Sequence, residues 1–203
     1  MRPSRLFASM LPLSIALAAC AGSPASPASS IPASTAVSSE PDVPSAAASL
    51  EPVPSEDLTP FTCDLPIVEA GSVAVANIVD VRTGSHAGYD RVVFEFEQGT
   101  PELTLDRAVP PFTEDASGLP LAVDGETFLR LTMRGGTKQT DAGTSSYDGP
   151  TDVTVGHPAL VHLVEGGDFE RQSTWYLGLT SDACVRALFL DEPPRLVIDV
   201  EHP

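Results

Sequence analysis

Positive charge is the scarcest commodity in this chain. One lysine, Lys138, and ten arginines face 28 acidic residues, a formal net charge of −17 at pH 7 over 203 residues. A polyanion of this kind repels nucleic acid and anionic lipid headgroups, so neither is expected as a partner. Long apolar runs are missing too. The longest, Leu6 to Leu17, is broken by Pro12 and is too short for the roughly 20 residues a membrane-spanning helix needs. No segment keeps a helical period for a dozen residues. The signatures of catalysis and metal binding are equally absent. No serine stands in a G-x-S-x-G elbow. The glycine-rich stretch around Lys138 lacks the G-x-x-x-x-G-K-[ST] order of a phosphate cradle. His157 and His162, five apart, would point to opposite faces of one strand and cannot clamp one metal ion. Asp141 and Asp148 lack the spacing of an EF-hand loop and read as a solvated loop. Together these gaps predict a protein that is not an enzyme and holds no metal and no cofactor. A carboxylate pair is the one catalytic arrangement that spacing leaves open, because the domain carries 23 acids.

Cysteine is rare as well, with three in all, and its placement is informative. Arg2 and Arg5 precede the apolar run, and small residues follow it in "LAAC", the layout of a secretory signal peptide over residues 1–19. Leu17, Ala18, Ala19 and Cys20 resemble the lipobox of bacterial lipoproteins, in which the cysteine is acylated (palmitate among its chains) and begins the mature protein. That resemblance implies a stable membrane anchor on Cys20, since each buried methylene contributes ~0.8 kcal/mol and a single chain is marginal. It also raises the mature charge to −19, because both leader arginines are lost. Cys63 and Cys184 remain as a pair suited to an oxidising compartment. A bridge between them would stabilise by about 4 to 5 kcal/mol on chain-entropy arithmetic; two buried free thiols are the alternative. Between Cys20 and residue 60 the composition collapses to proline, serine and alanine, which fill 26 of positions 21–60, with acidic charges only and no aromatic residue. Such a segment cannot bury enough apolar surface to order itself, so residues 20–60 read as a disordered acidic tether. As a flexible coil it would reach ~35 Å, and ~120 Å if its prolines hold it extended.

Residues 61–203 have a different character and suit one domain with a real core. Period-2 alternation recurs at 72–81, 91–97, 102–107, 127–133, 152–155, 159–165, 174–179, 185–190 and 195–201. Turn signals such as "TGSHAG", "QGTP", "RGGT", "EGGD" and "DEPP" stand between these runs. About nine short strands at this spacing predict an all-β antiparallel sandwich, with a partly closed barrel as the alternative.

The stretch "HAGYDRVVFEF" (86–96) concentrates the polar chemistry of the domain. Alternation sets Val92, Phe94 and Phe96 on one face and Arg91, Val93, Glu95 and Glu97 on the other; near the end, Leu196, Ile198 and Val200 oppose Arg195, Val197, Asp199 and Glu201. In the plainer reading these are outer sheet faces with complementary charges, exposed pairs contributing ~0 to 1 kcal/mol each. Tyr89 and Asp90 then start the strand, and His86 is a solvated loop residue. "VRTG", "GYDRVVFEF", "GDFE" (167–170), "W-x-x-GL" (175–179) and "PPRLVIDV", in that order, resemble the actinobacterial AMIN-like lipoprotein domain, a relative of the AMIN domain. The resemblance implies a small β-sandwich of the cell envelope at the extracytoplasmic face of the membrane, a binding module for peptidoglycan or another wall glycan. It further implies a ligand face in which Arg91 and Arg195 hold stem-peptide carboxylates and Glu95 and Asp199 receive sugar hydroxyls or amines. Trp175 and Tyr176 point to opposite faces, so one is free to stack on a sugar ring while the other packs in the core. Core packing is the alternative for Trp175. Envelope proteins, engaged by strand addition at a sheet edge, are the second class of partner.

Overall fold

The structure, a computed structural model, describes residues 59–203. The expected signal peptide (1–19), lipidated Cys20 and nearly all of the tether (20–60) lie outside the described residues. Thirteen strands are described: β1 (Ile67–Glu69), β2 (Ala76–His86), β3 (Tyr89–Phe96), β4 (Glu102–Ala108), β5 (Phe112–Thr113), β6 (Pro120–Leu121), β7 (Thr127–Arg134), β8 (Gly136–Thr137), β9 (Asp152–Thr154), β10 (Leu160–Phe169), β11 (Gln172–Leu179), β12 (Val185–Asp191) and β13 (Pro194–Glu201). They form a six-stranded sheet in the order β1-β4-β7-β11-β10-β9, a five-stranded sheet in the order β12-β13-β3-β2-β8, and a small β5-β6 hairpin. All pairings are antiparallel except β2 with β8. The fold is an all-β sandwich with one sheet curled towards a half-barrel.

The alternation explains the packing. Val92, Phe94 and Phe96 of β3 and Leu196, Ile198 and Val200 of β13 face inward, meeting Leu103 and Leu105 of β4, Leu129, Leu131 and Met133 of β7, and Leu177 and Leu179 of β11. All of these side chains are buried. Each strand thus lends every second residue to one shared core, as period 2 imposes, while the central strands β3, β11 and β13 are buried on their outer faces too.

Each of the nine alternating runs holds a strand, although the first, 72–81, is strand only from Ala76 and the run at 152–155 gives just three strand residues. The other four strands are two or three residues long, too short to show a period. Two turn signals are corrected. "TGSHAG" is mostly strand, because β2 runs through His86 and only Ala87 and Gly88 make the turn. "EGGD" lies inside β10, where the register shift between Glu165 and Gly167 marks a β-bulge. The actual β10–β11 turn is Glu170–Arg171, both at positive φ (51° and 62°).

Cys63 and Cys184 form a disulfide, with Cα atoms 4.3 Å apart. Thr62 pairs with Val185 beside it through two backbone hydrogen bonds of 2.8 and 2.9 Å. The chain therefore enters the domain fastened to the start of β12.

Candidate functional site

The expected ligand face is not an open one. Arg91 and Asp199 stand opposite each other on β3 and β13 as the register predicts, but they are 4% and 0% exposed. The Asp199 carboxylate accepts from Arg91 Nε at 2.6 Å and Nη2 at 2.9 Å, and from Arg186 Nε at 2.6 Å. Burial disfavours the Arg91 cation, yet Asp199 outweighs it and holds the guanidinium's pKa above its ordinary value. Aromatic rings close the lid. Arg186 lies 4.5 Å from the Phe61 ring centroid and 5.0 Å from that of Tyr89, and Arg91 lies 5.2 Å from Tyr89. The assignment of Arg91 and Asp199 to an open ligand face is thereby corrected: both lie on the outer face of their strands but are covered and engaged by each other and by Arg186. Glu95 and Arg195 also oppose each other in register, but each turns elsewhere. Glu95 accepts from Arg82 at 3.0 Å, and Arg195 donates to the carbonyl oxygens of Glu192 and Pro193 at 3.3 and 3.4 Å.

Neither aromatic of the Trp175–Tyr176 pair offers a stacking surface. Trp175 is fully buried, edge-on to Phe94 with centroids 5.3 Å apart, and its Nε1–H donates to Ser173 Oγ at 2.9 Å. Tyr176 points to the other face, as expected, but the β5–β6 hairpin covers it: Phe112 stacks at 4.7 Å and is itself edge-on to Phe128 at 5.0 Å. The assignment of Trp175 as a ligand contact is corrected to core packing.

The "HAGYD" stretch is structural as well. Asp90 shares the inner face of β3 with Val92 and is wholly buried. It accepts from the Ala159 and Leu160 N–H groups at 2.6 and 2.9 Å and meets His202 Nε2 at 2.8 Å. Burial pushes its pKa up, but the bonds from Leu160, His202, Ala159 and Ser85 overcome that and leave it below the ordinary value. Asp90 thus joins the two sheets rather than merely starting a strand. His86 stacks on Tyr89 with centroids 4.8 Å apart; burial first and Arg91 second lower its pKa.

The accessible chemistry gathers at the opposite end of the strands. There a cleft of about 550 Å³ lies between the β5–β6 loop (Glu114, Ser117), the segment after β8 (Lys138, Gln139, Thr144) and the β10 bulge (Glu165, Asp168). It shares Gln139, Gly143 and Asp168 with a depression of about 450 Å³, which shares Phe169 and Glu170 with another of about 490 Å³. The three neighbour one another through these shared wall residues near the end of the six-stranded sheet, and together they make up a row of open depressions, called the groove below. The bulge shapes its floor. At Gly166 a Cβ would come within 2.7 Å of the Tyr176 ring, so only glycine lets β10 close over that aromatic. Gly166 also accepts from the Asp115 N–H at 2.8 Å, fixing the hairpin wall. Asp168 is fully engaged, by Thr137 Oγ1 at 2.7 Å and by Lys138 N–H. Glu165 is not. Its Oε2 meets Lys138 Nζ at 2.5 Å, whereas Oε1 is buried without a partner, and burial drives the carboxyl's pKa upward against the pull of Lys138. Phe169, 58% exposed, stands between the second and third depressions. Among the described residues no group of three or more His, Cys, Asp or Glu side chains is arranged to hold a metal ion.

Sequence reasoning passed over Lys138, Glu165 and Phe169. The available signals were the solitary lysine and the glycine pair inside an alternating run, which marks a bulge as readily as a turn. Comparison with curated proteins and with solved structures returns no match. A model of the AMIN-like domain does match, over residues 76–202, more than half of the chain and every strand of β2–β13. The chain therefore belongs to the AMIN-like domain family, whose membership suggests a cell-wall-associated binding module of the extracytoplasmic envelope.

Proposed function

We propose that this protein is a non-catalytic lipoprotein that binds peptidoglycan outside the cell membrane. In this reading the leader is removed at Cys20, lipid on that cysteine holds the chain at the membrane, and residues 20–60 let the domain reach the wall. The observation that carries the binding role is the groove around Phe169. It is a row of three open, neighbouring depressions with charged and polar side chains in their walls, a form that suits an extended polymer better than an enclosed small molecule. Its charge argues for the kind of polymer. Six carboxylates line it against three cations, which disfavours a polyphosphate chain and tolerates a weakly charged one.

Co-sedimentation of the purified protein with peptidoglycan sacculi tests the reading directly. The protein is expected to pellet with sacculi at moderate salt and to stay in solution without them. Protein left in the supernatant would remove the wall polymer as ligand. The search would then move to envelope proteins, which the edge strand β12, paired on its outer side only at Val185 among the described residues, is placed to engage.

A further inference from the structure

The groove holds polar capacity that the protein does not use. Glu165 Oε1 is buried and unpartnered in a side chain that is 11% exposed. Lys138 Nζ has three N–H donors and one protein partner, Glu165. A buried carboxylate oxygen left without a donor is unfavourable, so a group that completes this pair gains from doing so. Completion needs a donor for Glu165 and an acceptor for Lys138 side by side. A phosphate or carboxylate brings acceptors only, and an ammonium brings donors only. A peptide amide brings both, and so do adjacent substituents on a pyranose ring, two hydroxyls or a hydroxyl beside an acetamido N–H; the exposed aromatic ring nearby decides between them.

Phe169 supplies the second half of the pattern. It is the one aromatic side chain lining the groove and is mostly exposed, where a large apolar ring gains nothing from the fold. The turn it leads into places two non-glycine residues, Glu170 and Arg171, in the left-handed region. Two successive positive φ angles are the usual geometry of a two-residue hairpin turn, which here is held by its neighbours. Gly135 N–H donates to the Arg171 carbonyl at 2.7 Å, and Arg171 pairs with Asp141 at 3.2 Å. The tip is thus a fixed support that presents an aromatic face to solvent.

We infer that the groove reads the glycan strand of its polymer: Phe169 stacks on one sugar ring, and the Lys138–Glu165 pair takes neighbouring ring substituents of another. The inference rests on the wall-binding reading above and narrows it, from the polymer to its sugars and away from its peptide carboxylates.

The test uses the full chain in detergent, with three probes: sacculi, the neutral tetramer of β-1,4-linked N-acetylglucosamine, and stem peptide freed of sugar. Titration calorimetry should detect the tetramer and not the peptide, and the tetramer should release protein from sacculi. Phe169→Ala and Glu165→Gln should each weaken tetramer binding at least tenfold while leaving the melting temperature within about 2 °C of wild type; Phe169, being exposed, gives a variant that folds even if Glu165→Gln does not. Sacculi that pellet wild type and folded Phe169→Ala alike, or that release protein to the peptide alone, would overturn the glycan groove and leave wall binding standing. Tetramer binding that depends on Phe169, without retention on sacculi, would support the groove and overturn the wall reading. No binding to any probe would sink both.

Discussion

Asp199 sits between two guanidiniums with no water-facing surface, and this one carboxylate sets the energetics of the β3–β13–β12 face. Removing it would leave Arg91 and Arg186 as like charges beneath Phe61 and Tyr89. Breaking a buried pair from one side typically costs about 3–5 kcal/mol. Asp199→Ala should therefore lower unfolding stability by that amount in urea titration; a loss below about 1 kcal/mol would mean that the triad is solvated in solution. The sequence made part of this legible. Alternation put Arg91 and Asp199 on the face that also carries Arg186, but a period of two says only that residues share a face. The cover comes from Tyr89, two positions before Arg91 in its own strand, and over Arg186 also from Phe61, 30 positions before Arg91. Trp175 was ambiguous for a related reason. Its alternation with Tyr176 was readable, and the second layer over Tyr176, supplied by Phe112, was not.

At the scale of elements, the β10–β11 hairpin shows where local sequence signals mislead. Gly166 and Gly167 carry the composition of a turn but form a bulge within β10, because the Tyr176 ring needs the space of an absent Cβ. The turn itself, Glu170–Arg171, has neither the asparagine nor the glycine that two successive positive φ angles favour. Left-handed backbone costs a non-glycine residue roughly 1–2 kcal/mol. Replacing the pair by Asn-Gly should raise stability by about 1 kcal/mol and the melting temperature by a few degrees, read by differential scanning calorimetry. An unchanged or lower melting temperature would show that the Arg171–Asp141 pair offsets the strain. The groove was hidden from sequence because its walls come from three segments, around 114–117, 138–145 and 165–170, that no local pattern links. The eight longer strands were visible because each repeats its alternation over seven or more residues.

For the molecule as a whole, Asp90 ties one sheet to the other, and pH should reveal it. Its folded pKa lies below the ordinary 3.8, so the folded state binds fewer protons than the unfolded state in this range. Its contribution to stability is fully present above that value and is lost as pH falls through the folded pKa. Asp90→Asn should accordingly weaken the protein most at neutral pH, with the gap to wild type closing below about pH 4. Parallel pH profiles for the two proteins would rule out this role. Sequence alone marked Asp90 as a strand start, since its partners Ala159, Leu160 and His202 lie about 70 and 112 positions away.

The Cys63–Cys184 bond also fixes how the molecule would carry tension. Leu160, beside Asp90, begins β10 at the end of the domain where Tyr89 and Val200 lie, and Phe169 finishes it at the groove, roughly 30 Å away for ten extended residues. A pull arriving from the N-terminus is handed through the sulfurs and the Thr62–Val185 pair to the start of β12, and cannot peel residues 64–183 away one by one because that segment is a covalently closed loop. If the polymer holds the far end, the load runs lengthwise along the strands, and their cross-strand hydrogen bonds resist sliding together instead of opening in turn. Under the proposed lipid anchor and wall binding, the domain would act as a link in series between membrane and wall, stiff along the direction in which the two are drawn apart.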